Sequence, residues 1–160
     1  ADSDFAEKVV AVVLPVNAAV VVTLQYALGR KISASNIRPL MTLATLFFIV
    51  GLGGFMLSGG ILVYWGIAAA IFTLGEIIYA PGEYMLIDNI APPGMKASYF
   101  SAQALGWLGA AANPMITGII LTNLPHWSLF VIMMVAIVIA WLMILRGMSV
   151  KAWCESPKVA

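Results

Sequence analysis

Charged residues are missing from three long stretches of the chain, and this pattern predicts its helices. The stretches cover residues 9–29, 39–75 and 97–145. A membrane-spanning helix needs about 20 consecutive apolar residues, so the first stretch fits one helix and each of the others fits two. Turn-forming residues divide the longer stretches at 58–60 (Ser-Gly-Gly) and at 123–126 (Asn-Leu-Pro-His). The predicted spans are roughly 9–29, 40–57, 61–87, 98–122 and 128–146.

The composition of the chain agrees with a membrane location. Apolar residues make up 62% of its 160 residues and charged residues 9%, whereas soluble domains contain about 45–50% and about 25%. We therefore expect an all-α, polytopic membrane helix bundle that contacts the lipid bilayer. The net charge of +1 gives no basic surface for nucleic acid. One cysteine and one histidine leave no internal disulfide and no metal site, and without a zinc or phosphate-loop motif neither enzymatic activity nor a cofactor is expected.

The basic residues predict the orientation of the spans, because Lys and Arg accumulate in cytoplasmic loops. Only Lys8 falls on one side, beside an acidic N-terminal segment. The N-terminus is therefore expected outside and the C-terminus in the cytoplasm. An outside N-terminus without a signal sequence favours one further helix before residue 1; the alternative is a five-span protein that translocates a short acidic tail. The basic residues expected on the cytoplasmic side are Arg30, Lys31, Arg38, Lys96, Arg146, Lys151 and Lys158.

Small and polar residues predict which helix faces meet protein instead of lipid. The alternative for most of these positions is that a small residue only permits close helix packing. Asn17 lies inside the first span, and Asn113 inside the fourth, where Pro114 is expected to loosen the helix. In the third span, the face expected inward carries Gly66, Ala69, Thr73, Glu76, Ala80 and Glu83, and the face expected toward lipid carries Ile67, Ile71, Leu74, Ile78 and Met85.

Glu76 is the charge that most needs a function. It lies about 22 Å from the outer end of the third span, within a hydrocarbon core of about 30 Å. The only basic residue inside a predicted span is Arg146, at the very end of the fifth, so none lies at the level of Glu76 to pair with it. An ionised carboxylate there costs about 3 kcal/mol. We interpret Glu76 as a proton acceptor or a partner for a cationic ligand; the alternative is a neutral glutamic acid that ties helices together. Glu83 either shares its cavity or pairs with a basic residue at the interface.

Two segments of the chain resemble a known family. Residues 72–81 (FTLGEIIYAP) and 91–99 (APPGMKASY) resemble helix ten and the following loop of drug:proton antiporters in the twelve-helix major facilitator superfamily. Residues 106–109 (GWLG), with Asn113 and Pro114, resemble helix eleven of the same family. The resemblance covers essentially the whole chain, as helices eight to twelve. Within the family, the chain is similar to the bacterial inner-membrane exporters.

The resemblance implies a partner N-terminal half missing from this chain, a cavity between the halves, and alternating access. It implies export of small molecules, such as drugs, small metabolites or peptides, in exchange for protons. Glu76 corresponds to an acidic helix-ten position linked to proton or cation handling. Arg30 and Lys31 take the place of the basic gating loop between helices eight and nine, although the usual Gly-x-x-x-Asp-Arg pattern lacks its Asp here.

The candidate site residues fall into two groups. The expected proton-coupling or substrate cavity contains Glu76, Glu83, Asn113, Thr73 and Asn17, and the expected packing or hinge positions are Pro81, Gly106, Gly109 and Pro114. Two other functions fit the same pattern. One is a symporter or facilitator of the same fold for a sugar or metabolite, and the other is a non-transporting membrane scaffold or sensor subunit.

Overall fold

The computed structural model describes residues 2–33 and 35–155, and all regular secondary structure among them is helical. Five segments are long and apolar enough to cross a membrane, with α4 and α5 together forming one of them. The predicted all-α bundle of membrane-length helices is therefore confirmed. Lys158, one of the basic residues expected in the cytoplasm, lies outside the described residues. The helices are α1 (Asp2–Gly29), α2 (Ile37–Leu57), α3 (Leu62–Ile90), α4 (Lys96–Ala104), α5 (Gly106–Asn123) and α6 (His126–Glu155).

Helix α3 lies between α1 and α2. It packs most extensively against α2, and α1 packs against another part of its surface. Helix α6 packs on α2, α5 contacts α6, and the short α4 touches both α3 and α5. The resulting order across the bundle is α1, α3, α2, α6 and α5, so that a side chain on α3 can contact residues from two neighbouring helices.

Glycines bring α2 and α3 into close contact. A Cβ atom placed on Gly51 would lie 2.7 Å from Cβ of Phe72, and one placed on Gly75 would lie 2.9 Å from Cδ1 of Phe48. The rings of Phe48 and Phe72 pack together at a centroid distance of 4.9 Å. Met41 fills the space beside Gly82 and is 1% exposed. Small residues that let helix backbones approach are a usual basis of helix association in membranes.

The predicted division of α3 into one inward and one lipid face was partly wrong. Ala69 and Thr73 are buried as expected, but Ala80 is exposed. Ile78, expected to face lipid, is only 4% exposed, and its neighbour Ile77 is 3% exposed. The prediction assumed a helix at the edge of the bundle. Because α1 and α2 cover different parts of α3, its buried surface is wider than one face and includes bulky side chains.

The fourth predicted span contains a break that the sequence pattern did not predict. It lies at Leu105, between α4 and α5, where the N–H of Leu105 donates to the carbonyl oxygen of Ala102 at 3.1 Å. Helix α5 runs through Pro114, and the expected loosening of the helix there stays a prediction. Proline removes one N–H from the helix ladder, and membrane helices often tolerate this loss. Gly106 follows the break, and glycine has a low helix propensity. No residue of α4 or α5 is buried.

The contact between α2 and α3 predicts that Gly51→Ala destabilises the protein. The added methyl group overlaps Phe72, and overpacking of this kind costs about 1–3 kcal/mol. The matched control is Gly53→Ala on the same helix, because nothing lies within 4 Å of a Cβ at Gly53. Thermal unfolding of the purified protein in detergent should show a lower midpoint for Gly51→Ala than for Gly53→Ala. Equal midpoints would contradict the proposed close contact.

Candidate functional site

Three polar side chains meet between α1 and α3. The amide Nδ2 of Asn17 donates to Oε2 of Glu76 at 2.7 Å and to Oγ1 of Thr73 at 2.9 Å. The hydroxyl of Thr73 in turn donates to the carbonyl oxygen of Ala69 at 2.7 Å. A side-chain amide carries two hydrogens, so Asn17 makes both bonds at once. These contacts define the Asn17–Thr73–Glu76 cluster, which joins three of the five residues predicted for the cavity.

The cluster lies at the level of the membrane interior. Glu76 is about 21 Å from Leu62 at 1.5 Å per residue, close to the middle of the 29 residues of α3. Asn17 stands near the middle of the 28 residues of α1. Thr73 is 1% exposed, whereas Asn17 and Glu76 are half-buried. The cluster is therefore closed on the Thr73 side, and its carboxyl group remains accessible to a ligand or to water.

Glu76 has no basic partner in the part of the chain that the structure describes. The ion pairs found there are Lys8 with Asp4, at 2.8 Å, and Lys96 with Asp88. Both lie at or beyond helix ends. The two N–H bonds of Asn17 go to Thr73 and Glu76, so the carboxylate is stabilised by hydrogen bonding instead of by an opposite charge. A carboxylate accepts this bond through one oxygen, and a protonated carboxyl can keep it while its other oxygen carries the proton.

Glu83 and Asn113 are not part of the cluster. Glu83 is half-buried two turns further along α3 and makes no side-chain hydrogen bond or ion pair with the described residues. Asn113 is exposed on α5 and accepts a hydrogen bond from Thr117 of the same helix at 3.1 Å. Their expected place in the cavity stays a prediction.

The two basic residues expected in a gating loop follow α1. The guanidinium of Arg30 lies over the ring of Tyr26, 5.5 Å from its centroid. The carbonyl oxygen of Lys31 accepts a hydrogen bond from Nδ2 of Asn36 at 2.7 Å. Both residues are exposed. These contacts order the turn between α1 and α2, and the gating role stays a prediction.

The expected hinge and packing positions have different surroundings. Pro81 is half-buried within α3, and Pro114 is exposed within α5. Gly106 begins α5 directly after the break at Leu105. A Cβ on Gly106 or on Gly109 would meet nothing within 4 Å in the described part of the chain. The described helices therefore supply no partner that packs on these two glycines, and their hinge role stays a prediction.

Sequence reasoning missed two further polar contacts between helices, both at the α2–α6 interface. The indole N–H of Trp141 donates to Oγ1 of Thr42 at 3.1 Å. The guanidinium of Arg38 donates to Oγ of Ser149 at 2.6 Å. A threonine and a tryptophan inside apolar spans were the available signals, but neither indicates its partner. Among the described residues there is no cluster of three His, Cys, Asp or Glu side chains that could hold a metal ion.

The cluster predicts that Asn17→Leu weakens the contact between α1 and α3. The change removes both side-chain hydrogen bonds, and such bonds between membrane helices average about 0.6 kcal/mol each. Thr23→Val is the matched control, because the Thr23 hydroxyl bonds only to backbone oxygens of α1. Thermal unfolding in detergent should show a lower midpoint for Asn17→Leu than for Thr23→Val. The same midpoint for both variants would show that the cluster does not hold the helices together.

Comparison with known proteins gives two relatives. The chain is 65% identical over 153 residues to the uncharacterized MFS-type transporter YdeE of Escherichia coli strain K12, a match that covers 96% of this chain and 39% of that protein. It is 29% identical over 114 residues to the uncharacterized MFS-type transporter YqjV of Bacillus subtilis strain 168, covering 70% of this chain and 27% of the relative. The chain thus spans well under half the length of the curated relatives that it matches.

Two further comparisons give no match. No family model matches the chain. No solved structure matches it either. The 65% identity extends over nearly all of the chain, and the bundle of membrane-length helices agrees with it. The chain therefore belongs to the major facilitator superfamily of membrane transporters.

Proposed function

We propose that this chain is part of a secondary active transporter that exports small molecules, such as drugs, small metabolites or peptides, by proton antiport with alternating access. The observation that supports the proposal most directly is the environment of Glu76. This carboxyl group stands midway along α3, accepts a hydrogen bond from Asn17 of α1, and has no basic partner among the described residues. Ionisable groups placed in this way in membrane proteins are usually functional.

The proposed cycle uses Glu76 as the proton carrier. When the cavity faces outside, water reaches the carboxylate and it takes a proton. When the cavity faces the cytoplasm, Glu76 releases the proton, and the outbound substrate occupies the cavity in its place. An anionic carboxylate at this position suits lipophilic cations.

The hydrogen bond from Asn17 gives this protonation step a mechanical effect. A bond to an ionised acceptor is roughly twice as strong as one between neutral groups. Protonation of Glu76 therefore weakens the connection between α1 and α3, and deprotonation strengthens it. In this scheme the proton changes how firmly α1 is held to α3, which couples the proton to helix movement.

The proposal extends beyond this chain to the whole transporter. The relatives are named as MFS-type transporters and are much longer than the matched segment. A cavity open alternately to either side needs helices from two repeats. We propose that an N-terminal half of the same protein supplies the other wall, and that Glu76 and Asn17 face the cavity between the two halves.

The first test is an export assay in cells that make the full-length protein, with Glu76 intact or changed to Gln. Cells are loaded with a panel of dyes, drugs and short peptides, with and without a proton uncoupler. We expect efflux of at least one compound to be lost both in Glu76→Gln and with the uncoupler. The matched control is Glu7→Gln, which changes an exposed carboxylate near the start of α1 and should leave export intact.

Other outcomes of this assay would contradict the proposal in different ways. Efflux that survives both the mutation and the uncoupler would point to a facilitator, with Glu76 as a packing residue. Uptake driven by the proton gradient would point to a symporter. A protein that moves no compound, and in which Glu76→Gln changes nothing measurable, would point to a scaffold or sensor.

We also propose that the chain lies in a bacterial inner membrane with the turn between α1 and α2 in the cytoplasm. Arg30 and Lys31 are in this turn, and Arg38 follows at the start of α2. The bond between Arg38 and Ser149 shows that the C-terminal part of α6, which carries Arg146, lies at the same end of the bundle. Basic residues at one end favour the cytoplasmic side.

Cysteine labelling tests this orientation. Ser35→Cys, in the turn between α1 and α2, and Gly60→Cys, in the turn between α2 and α3, both place a thiol at an exposed position. In a background without other cysteines, a membrane-impermeant thiol reagent should label Gly60→Cys in spheroplasts and Ser35→Cys only after lysis. The reverse pattern would invert the proposed orientation.

A further inference from the structure

A groove with two arginines lies between α2 and α6. Its walls include Arg38 and Thr42 from α2, and Leu142, Leu145, Arg146 and Ser149 from α6. Its volume is about 420 Å³. The groove is distinct from the Asn17–Thr73–Glu76 cluster, which lies between α1 and α3. The transport proposal gives it no role.

Two hydrogen bonds between α2 and α6 fix the positions of the walls of the groove. The Trp141 indole donates to Thr42 at 3.1 Å on its inner side. The Arg38 guanidinium donates to Ser149 at 2.6 Å, and the Ser149 hydroxyl donates to the carbonyl oxygen of Leu145 at 2.9 Å. Arg38 is thereby held against α6 by one N–H, while a guanidinium has five donors. No other hydrogen bond of the Arg38 side chain is found among the described residues, so its remaining donors can bind an anion.

The positive charges of the groove are not neutralised by the described side chains. Among these side chains, neither Arg38 nor Arg146 lies within ion-pair distance of a carboxylate. Both arginines are exposed. Two guanidinium groups that share one groove repel each other, and a bound anion would remove this repulsion. The fork of an Arg side chain matches the oxygens of a phosphate.

The groove lies at the level of one membrane surface. Arg146 is about 30 Å from His126 along α6, and Arg38 is about 29 Å from Leu57 along α2, at 1.5 Å per residue. A hydrocarbon core is about 30 Å thick, so both arginines reach the boundary where lipid phosphates lie. Leu142 and Leu145 line the same groove and lie up to one helical turn closer to the membrane interior than Arg146.

We propose that this groove binds the headgroup of an anionic membrane phospholipid. Its phosphate lies between Arg38 and Arg146, and the first carbons of its acyl chains lie against Leu142 and Leu145. Basic pockets between the ends of transmembrane helices are a known form of anionic lipid site. A zwitterionic lipid carries a positively charged ammonium group beside its phosphate, and the described groove offers no carboxylate to pair with that charge. The groove therefore favours a headgroup with a net negative charge, such as phosphatidylglycerol.

The test measures lipid binding to the full-length protein by native mass spectrometry. The protein is purified in detergent and titrated with phosphatidylglycerol, with phosphatidylcholine of the same acyl chains, or with inorganic phosphate alone. The variants are Arg38→Gln, Arg146→Gln and the double variant. The matched control is Arg30→Gln, which removes the same charge at the same end of the bundle but outside the groove. Size-exclusion profiles and thermal midpoints show that each variant is folded.

We expect phosphatidylglycerol to bind the intact protein more tightly than phosphatidylcholine does. Each groove variant should weaken this binding about fivefold and the double variant about 25-fold, since one basic residue near an anionic lipid surface contributes about that factor. Arg30→Gln should bind as the intact protein does. If Arg38→Gln fails to fold, Arg146→Gln alone decides, because Arg146 makes no side-chain hydrogen bond among the described residues.

Three results would overturn the proposal. Equal binding of the two lipids would show that the groove does not select a negative headgroup. Unchanged binding in the folded groove variants would place the lipid elsewhere. Binding of inorganic phosphate as tight as that of phosphatidylglycerol, and lost in the same variants, would show a site for a free anion instead of a lipid.

Discussion

The hydrocarbon core of a membrane offers no water to polar groups, so each of them must find its partner within the protein. In this chain the constraint is most severe at Glu76, midway along α3. The amide of Asn17 meets it from α1 and also reaches Thr73. The hydrogen bond to the Glu76 carboxyl group comes from α1. The charge of this group and the position of α1 are therefore linked. The proposed proton step follows from this connection.

Close packing determines which helices share the site. Glycines at Gly51, Gly75 and Gly82 bring α2 and α3 together so tightly that side chains of one helix touch the backbone of the other. Helix α1 packs elsewhere on α3 and is joined to it by a polar cluster. Two kinds of contact therefore surround α3, one apolar and tight, the other polar and built on hydrogen bonds. If a helix moves during transport, this difference favours α1 over α2.

The polar contacts between helices lie at two levels of the membrane, its interior and one surface. At its interior, Asn17 and Glu76 satisfy each other with no basic residue involved among the described side chains. At one surface, Arg38 and Arg146 line a groove between α2 and α6, and Ser149 and Trp141 fix its walls. Guanidinium groups are tolerated at the surface because water and lipid phosphates reach them, whereas the interior admits a carboxyl group that can become neutral.

The sequence by itself determined the membrane class and the five apolar segments, because hydropathy is a local property. It also singled out Asn17, Thr73 and Glu76 as polar residues inside these segments, because the cost of placing a polar or charged side chain there is local too. Tertiary structure alone decided that these three residues meet, since Asn17 and Glu76 are 59 positions apart. It also buried Ile78, because α3 is covered by two helices, and it joined Arg38 to α6 across 111 positions. A periodic pattern shows that a helix has a buried face. Which neighbour covers that face depends on how the helices pack, and no single segment encodes this.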